Sequence, residues 1–430
     1  MRKSLEEIHR TIPILREFSK WRKILAFTGP GYLIAVGYMD PGNWATDLAG
    51  GSRFGYTLLS VVLLSGLMAM LLQHLSLKLG IVMEKDLAQA CHDHYPPWAR
   101  RILWIMAEVA ITACDLAEVI GSAIALNLLF HVPIIIGVLI TAFDTLLLLF
   151  LQNKGLRYLE AVVVSLIAII IASFGVEIFL SRPDVWQLLT GFIPSSQLIT
   201  NRDMLYIGIG ILGATVMPHN LYLHSALVQS RDFGPSGENK KEAISLATFD
   251  SNVALTAATV VNCAILIVSA ATFFTRGINS VAEIQDAHRL LTPLLGTGIA
   301  SALFAVALLA SGHNSTITGT LAGQVVMEGF VDIHIKPWQR RLITRLLAII
   351  PAIIVVWLYG THGLARLLIL SQVVLSMQLP FAVVPLMSFT SSKKYMGNFT
   401  NTPLVAIVGW IVTAVIIFFN IWLITRIRTG

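Results

Sequence analysis

Apolar segments of about 20 residues recur along the whole of this 430-residue chain, and each is long enough to cross a bilayer as one helix. Only 13% of the residues are charged, against about 25% in a typical soluble domain. The mean hydropathy of +0.76 is too high for a fold whose whole surface meets water. The sequence therefore predicts an all-α integral membrane protein whose outer surface is largely in contact with lipid.

The apolar segments predict eleven transmembrane helices, at 25–52, 55–80, 98–128, 132–152, 157–181, 204–229, 243–274, 292–330, 338–359, 363–388 and 403–426. The segment before the first of them is polar and basic, which is not the pattern of a cleavable signal peptide. We therefore divide the chain into an N-terminal tail at 1–24, a transport core at 25–388, and a further helix with the C-terminus at 389–430.

The distribution of basic residues predicts the orientation of these spans. The N-terminal tail and alternate loops hold most of the 30 Lys and Arg residues. Basic loops stay in the cytoplasm, so we expect a cytoplasmic N-terminus and, after eleven spans, an extracellular C-terminus. We expect the cell membrane (plasma or inner) as its location. The chain has no runs of aromatic residues interleaved with Lys and Arg that would suggest base stacking, so we predict no nucleic acid partner, and we predict no obligatory protein partner.

Two of the predicted spans are interrupted at their middles. Span 1 carries the sequence DPGN at 40–43, and span 6 carries MPHN at 217–220. Proline removes a helix donor and clashes with the preceding turn, so each span should break there. At membrane depth, the backbone groups that a break releases persist only where they face a cavity or a ligand.

The two breaks lie 177 positions apart (217 minus 40), and each falls in the first span of a five-span unit. An odd number of spans per unit gives the two units opposite topologies. This is the signature of an inverted-repeat transporter, whose site forms where the broken helices meet. The repeats are predicted at 25–181 and 204–388.

The residues at the breaks suggest a binding site for a metal ion. Asp40 offers a carboxylate, Asn43 an amide oxygen and Met217 a thioether, and the broken turns release the backbone carbonyls of Gly37 and Ala214. Oxygen ligands alone would suit Mg²⁺ or Ca²⁺. A thioether is soft and favours Mn²⁺, Fe²⁺, Co²⁺ and Cd²⁺ over those hard ions.

Other interpretations of these residues stay open. Asp40 precedes a Pro-Gly pair and would also serve as a helix cap, although a charge at this depth is costly. Gln372 in span 10 is a further candidate oxygen ligand in one conformation, and it would equally suit a hydrogen bond between helices.

Titratable residues near the breaks suggest a route for protons. His219 and His224 lie in span 6, and histidine changes its charge near neutral pH. Histidines held in the core by hydrogen bonds are the alternative.

Glu108, Asp115 and Glu118 fall on one stripe of the predicted third span, where their offsets of 7 and 3 place them on one helical face. Acidic residues in a membrane helix are rare and mark functional paths. Paired with basic residues of span 9, they would form a polar path through the protein, and a purely structural ion-pair network is the alternative. The basic candidates are Arg340, Arg341 and Arg345.

These motifs resemble the Nramp family of divalent metal transporters. The resemblance covers the chain from about residue 25 to the last span, and rests on DPGNW at 40–44, DLAEVIGSAIAL at 115–126, GATVMPHNLYLHS at 213–225 and ALLASGHNSTITGTLAGQVVMEGF at 307–330. The pairing of DPGN with MPHN at this separation is specific. The eleven spans fit the bacterial members, and Met217 argues against a related branch that carries Mg²⁺ and lacks the methionine.

The resemblance implies a LeuT-like fold that imports Mn²⁺, Fe²⁺ and similar ions together with protons, and no prosthetic group. It implies metal binding by the side chains of Asp40, Asn43 and Met217, assisted by the carbonyls of Gly37 and Ala214. It ties His219, Asp115, Glu118 and the span 9 arginines to proton movement. Several relatives have Ala at the position of Gly37, where a carbonyl ligand would survive the change.

Three other classes of protein compete with this interpretation. A sodium- or proton-coupled amino-acid or amine symporter of the same fold would present free helix N-termini and small residues to its substrate, unlike Asp40 with Met217. An intramembrane enzyme is not expected, because the chain has no HExxH or GxSxG motif. A channel would show neither saturation nor proton coupling.

Overall fold

The computed structural model describes residues 4–14, 17–143, 154–278, 283–295, 298–331 and 337–428. Helices dominate these ranges, as predicted. In chain order they are α1 Lys20–Phe27, α2 Pro30–Gly37, α3 Pro41–Phe54, α4 Leu59–Met83, α5 Leu87–His94, α6 Pro97–Phe130, α7 Ile134–Ile140, α8 Leu156–Ser181, α9 Val185–Gly191, α10 Gln197–Thr200, α11 Arg202–Thr215, α12 Pro218–Leu227, α13 Gly237–Thr272, α14 Ile284–Leu295, α15 Gly298–Val331, α16 Pro337–Tyr359, α17 Leu364–Thr390, α18 Lys393–Met396 and α19 Pro403–Arg428.

Short elements connect these helices. Single 3₁₀ turns lie at Glu6–Ile8, Thr141–Phe143, Val228–Ser230, Phe274–Arg276, Gly360–Gly363 and Gly397–Phe399. Two short strands, β1 Ile12–Pro13 and β2 Arg231–Asp232, pair in parallel with Ile12 opposite Arg231.

The membrane-crossing elements correspond to the eleven predicted spans. Eight helical segments of the described chain are long and apolar enough to cross a membrane, with α11 and α12 counted as one. The broken pair α2 and α3 forms the first span. Two shorter apolar helices, Ile134–Phe143 and Arg345–Leu358, lie in the fourth and ninth. The end of the predicted fourth span, from residue 144, lies outside the described residues.

One predicted boundary is wrong. The sequence suggested a single span over 292–330, but Ile284–Leu295 forms a separate helix, α14, and the spanning helix α15 begins at Gly298. Pro293 lies inside α14, and the glycines that follow it in LTPLLGTG disfavour a continuous helix.

The two broken spans cross each other. Helix α2 packs on α12, and α3 packs on α11, so the first half of each broken span contacts the second half of the other. Helix α13 packs along α2, α3 and α4, while α6 and α17 cover the opposite side of the pair. The two breaks therefore meet inside the bundle.

The N-terminal segment packs against the bundle at the end that we call the N-terminal face. The Leu5 amide donates to Glu328 Oε2 at 3.0 Å, and the Leu5 side chain is buried. Arg10 pairs with Glu84 at 3.1 Å, and the Ile14 amide donates to the Asp232 carbonyl. This segment therefore links α15 to the ends of α4 and α12.

A buried ion pair fixes the start of α2 at the same face. Arg231 Nη1 lies 2.8 Å from Glu160 Oε1, and its Nη2 donates to the Thr28 carbonyl at 2.9 Å. The Asp250 carboxylate accepts hydrogen bonds from the Gly29 and Gly31 amides. Side chains from α8, β2 and α13 thus satisfy the backbone groups where the first span begins.

Removing this guanidinium should destabilise the fold. Arg231→Ala removes the buried cation of Glu160 and leaves only the half-exposed Arg157, 3.1 Å from Glu160 Oε2, so we expect a loss of about 3 kcal/mol in unfolding free energy. Arg10→Ala is the matched control, because the Arg10–Glu84 pair is partly exposed and worth at most about 1 kcal/mol. Thermal unfolding of both variants in detergent measures the difference. Equal losses of stability in the two variants would show that the buried Arg231–Glu160 pair stabilises the fold no more than the exposed Arg10–Glu84 pair.

A second prediction concerns pH. Asp86 lies in the connection between α4 and α5, where it caps α5 by accepting from the Gln89 amide at 2.9 Å. Burial raises the pKa of this carboxyl to about 6 from its ordinary value near 3.8. The folded state therefore holds the proton more tightly than the unfolded state, and stability falls as pH rises through about 6.

Asp86→Asn keeps a capping oxygen but removes the charge. We expect the variant to gain at most about 3 kcal/mol over the native chain at about pH 8, and little at about pH 4. Thermal unfolding at the two pH values tests this, and a gain that does not depend on pH would contradict it.

Candidate functional site

Asp40 lies at the break in the first span and is completely buried. It caps α3, because its Oδ1 accepts from the Asn43 backbone amide and from Asn43 Nδ2, both at 2.8 Å. Its Oδ2 has no hydrogen-bond partner among the described residues. The capping interpretation is therefore correct for one oxygen, and the second oxygen is available for a ligand.

Asn43 joins the two broken spans. Its Nδ2 donates to Asp40 Oδ1 and also to the Ala214 carbonyl of α11 at 3.1 Å. Its Oδ1 accepts from Asn262 Nδ2 of α13 at 3.1 Å, and Asn262 Nδ2 also donates to the Tyr38 carbonyl. The amide thus lies between the two predicted oxygen ligands, Asp40 and Ala214.

Met217 occupies the equivalent position in the other break. It is buried, and its Sδ lies 3.6 Å from Nδ2 of Asn220. A Cβ atom built on Gly37 would lie 3.3 Å from this sulfur, so the thioether lies against the end of α2. The Gly37 carbonyl accepts from the Asp40 amide at 3.3 Å.

Gln372 of α17 packs between the two breaks. A side chain at Gly42 would collide with its amide group, and one at Gly213 would collide with its backbone carbonyl. Its Nε2 donates to Ser371, and its Oε1 has no partner within the described chain. The structure therefore brings together all six residues of the predicted metal site.

The histidines of α12 differ in their surroundings. His224 Nδ1 bonds to Gln73 Oε1 at 2.9 Å, and Gln73 donates onward to the Tyr38 hydroxyl. It matches the interpretation of a hydrogen-bonded core histidine. Neither ring nitrogen of His219 has a hydrogen-bond partner in the described chain, and Asp115 lies close enough for an electrostatic interaction.

The acidic residues of α6 follow one face, as predicted. Glu118 is buried, lies 3.6 Å from Arg345 Nη2, and is close enough to Asp40 for an electrostatic interaction. Arg345 also donates to the Thr316 hydroxyl of α15 at 2.7 Å. The buried pair thus joins α6, α15 and α16 behind Asp40.

The remaining candidates lie further from the breaks. Glu108 is partly exposed, accepts from Trp104 Nε1 at 3.2 Å, and lines a cavity of about 370 Å³ between α6, α16 and α17. The side chains of Arg340 and Arg341 lie outside the described part of the structure. Arg345, the third arginine suggested, pairs with Glu118 of α6.

Sequence reasoning missed the polar residues that hold the breaks in place. Asn262 and Gln73 bind the first break, and the Ser311 hydroxyl donates to the Met39 carbonyl. Each is a single polar residue in an apolar helix, which is a signal of function or of a helix contact but does not identify the partner.

The donor set is mixed rather than a metal cluster of the common kind. No group of three or more His, Cys, Asp or Glu side chains in the described ranges is arranged to hold a metal ion. The breaks instead offer one carboxylate, two side-chain amides, a thioether and two carbonyls. Together, the crossed broken helices and this buried polar centre define a membrane transporter of the inverted-repeat class.

Comparisons with known proteins identify the family. The family model described as "Natural resistance-associated macrophage protein-like", Nramp, matches residues 31–426, and the chain belongs to this family. A divalent metal cation transporter, MntH, of a Nostoc species is 58% identical over 100% of this chain and 97% of its own length. One from Listeria innocua is 58% identical over 98% and 94%.

Solved structures agree with this assignment. A manganese transporter of Eremococcus coleocola is 43% identical, with a TM-score of 0.90, over 97% of this chain and 90% of its own. Mhp1, a nucleobase-cation-symport-1 transporter, is 14% identical with a TM-score of 0.63, and shares the fold alone. The predictions of an all-α, LeuT-like membrane protein that transports metal ions, and of a protein that is not an enzyme, are confirmed.

Close packing at Gln372 generates a prediction. Gly42→Ala should displace the side-chain amide of Gln372 and lower metal uptake by about tenfold or more, because small misplacements at a site are costly. In Gly213→Ala the new methyl group would collide with the backbone of α17. We therefore expect this variant to lose about 3 kcal/mol of unfolding free energy, more than Gly42→Ala loses. Uptake assays and thermal unfolding compare the two. Native uptake by Gly42→Ala would show that the position of the Gln372 amide does not matter.

Proposed function

We propose that this transporter imports Mn²⁺ and Fe²⁺, and also Cd²⁺ and Co²⁺, across the cell membrane by alternating access, and that protons move with the metal. One observation carries the proposal. Asp40 and Met217 are the N-cap residues of the second halves of two broken helices that cross inside the bundle, so a carboxylate and a thioether lie at equivalent positions of the two breaks. A site that combines a hard carboxylate oxygen with a soft thioether sulfur suits these ions.

Metal binding requires a movement of Asn43. Its amide nitrogen now bridges Asp40 Oδ1 and the Ala214 carbonyl, which are two oxygens that a cation would bind. Rotation of the amide would turn its oxygen toward them and its nitrogen toward Asn262. The ion would then bind Asp40, Asn43, Met217 and the Ala214 carbonyl, with Gly37 and Gln372 as further oxygen ligands in some conformations.

The sulfur supplies the selectivity. Ca²⁺ and Mg²⁺ prefer all-oxygen coordination, and an Mg²⁺ ion sheds its water reluctantly, so a thioether contributes little to either. Met217 is buried beside Gly37 and cannot easily move aside for water. Replacing it would remove the soft ligand and leave oxygen ligands that hard ions accept.

The direction of transport follows from the orientation. The N-terminal face carries most of the basic loops, so we assign it to the cytoplasm and the last residues to the outside. The contacts of the N-terminal segment and of Arg231 close this face. Release of metal to the cytoplasm would require the two broken spans to rock away from α6 and α15 and break these contacts.

A chain of titratable groups supports proton movement. Asp40 interacts electrostatically with Glu118, His219 interacts with Asp115, and Glu118 lies beside Arg345. We propose that a proton taken up near Asp40 passes along His219, Asp115 and Glu118 toward the cytoplasm. Glu108, His224, Arg340 and Arg341 remain further candidates for this route. The membrane potential favours both cations, at about 2.3 kcal/mol per charge per 100 mV.

Uptake into proteoliposomes tests the proposal. We expect Mn²⁺ uptake to be accompanied by acidification of the interior, read by a pH-sensitive dye. Absence of Mn²⁺ uptake in either direction would rule out the metal-importer function and favour an amino-acid symporter. Uptake without acidification would keep the metal site and remove the proton route.

Substitution of the sulfur ligand tests the site itself. Met217→Ala should lower Mn²⁺ uptake by about tenfold and admit Ca²⁺ or Mg²⁺, because the remaining ligands are oxygens. Met39→Ala is the matched control, since Met39 is equally buried at the break but packs in the hydrophobic core. Unchanged ion preference in Met217→Ala, or the same change in Met39→Ala, would contradict the role of the sulfur.

A further inference from the structure

A second carboxylate is buried in the broken first span. Asp47 lies in the middle of α3 and is 1% exposed. Its Oδ2 has no hydrogen-bond partner, and no described residue forms an ion pair with either oxygen. Neither the fold nor the proposed metal site uses this group.

Asp47 lies about two turns after Asp40, which is the N-cap of α3. An offset of seven residues places both on one face of α3, about 20° apart and about 10 Å along the axis. The two carboxylates are close enough to repel each other. Because α3 runs from the break toward the face opposite the N-terminal one, Asp47 lies on the way from that face to Asp40.

The surroundings of Asp47 are rich in oxygen and poor in donors. Asn262 of α13 donates to Asn43, which lies one turn before Asp47 on α3, and Asn262 Oδ1 has no partner in the described chain. Cys263 is close enough to Asp47 for an electrostatic interaction. The Ser269 hydroxyl donates a hydrogen bond to the carbonyl of Leu48, the residue after Asp47. No described cation compensates the charge.

Three other deeply buried carboxylates of the described chain have partners, whereas Glu177 on the unbroken helix α8 has no hydrogen-bond partner for either oxygen among the described residues. Glu160 pairs with Arg231, Glu118 with Arg345, and Asp250 accepts two backbone amides. A carboxylate without such partners is costly inside a membrane protein, and an amide would fill the same space without the charge. A metal cation that passes through the protein would supply the partner that the Asp47 carboxylate lacks.

We propose that Asp47 is an outer cation ligand, which holds the divalent ion briefly between the opposite face and Asp40. The inference rests on the proposed function and extends it. The Asp47 carboxylate and the Asn262 amide offer oxygen ligands, and a protonated Cys263 thiol is a poor ligand, so this step should distinguish Mn²⁺ from Ca²⁺ less than the site at Met217 does. Selection between Mn²⁺ and Ca²⁺ would then occur when the ion reaches Met217.

Transport kinetics provide the first test. Asp47→Asn should raise the KM for Mn²⁺ by about three- to tenfold with little change in the maximal rate, as expected for removing one charge about 10 Å from a divalent ion. Asp47→Glu should restore most of the affinity. Glu177→Gln is the matched control, because Glu177 is equally buried without partners, but on the unbroken helix α8. Its KM should stay native.

Binding to the purified full chain provides a second test that does not depend on transport. Mn²⁺ binding is followed by electron paramagnetic resonance in detergent. Asp40→Ala should retain weak binding, and the double variant Asp40→Ala/Asp47→Asn should lose it. Thermal unfolding confirms that each variant is folded, and Asp47→Ser replaces Asp47→Asn in both tests if Asp47→Asn is not.

The outcomes separate this inference from the proposed function. A native chain that neither takes up nor binds Mn²⁺ overturns both. Native uptake with an unchanged KM in Asp47→Asn, or equal binding by the single and double variants, overturns the role of Asp47 alone. A raised KM in Glu177→Gln as well would show a general effect of buried carboxylates and also overturn it.

Discussion

Two helices broken at membrane depth must satisfy their backbone groups without water, and the rest of this structure depends on how they do so. A side-chain amide serves each break. Asn43 Nδ2 binds Asp40 and the Ala214 carbonyl of the other broken span, while Asn220 Nδ2 lies 3.6 Å from Met217 Sδ and 3.5 Å from the Ile34 carbonyl. Each amide therefore holds its own break and reaches across to the other. The same contacts that make the breaks tolerable also gather the ligands, because the acceptors at each break are the groups that a cation would bind.

The two breaks are related by the repeat but differ in the residue before the proline. Asp40 and Met217 are each the N-cap of a helix with proline at its first position, and only the aspartate caps through its side chain. The Met217 side chain makes no capping hydrogen bond and places a sulfur atom at the break instead. The two breaks are thus similar in backbone, and the exchange of Asp for Met before the proline gives the proposed site one hard ligand and one soft ligand. Such a site favours the borderline transition metals over ions that prefer one kind of ligand.

Local features of this fold could be predicted from the sequence, and long-range pairings could not. The spans follow from runs of apolar residues, and the breaks from DPGN and MPHN, because proline acts on its own helix. The stripe of Asp115 and Glu118 likewise follows from helical periodicity. Asn262 binds Asn43 from 219 positions away, and Arg231 binds Glu160 from 71 positions away. A polar residue in an apolar helix signals that a partner exists, but only the packing of helices shows which one it is.

The two ends of the bundle are held differently, and this difference bears on how the protein works. At the N-terminal face, Arg231 and Asp250 satisfy the carbonyls and amides where the first span begins, and the segment around Leu5 is fixed to α15. On the other side of the break, α3 carries Asp47, whose Oδ2 has no hydrogen-bond partner among the described residues. Charge is thus neutralised at the N-terminal face, whereas Asp47, between the break and the opposite face, has no ion-pair partner among the described residues. Because an unneutralised carboxylate attracts cations and a network of satisfied groups resists opening, the arrangement favours loading from one face before release at the other.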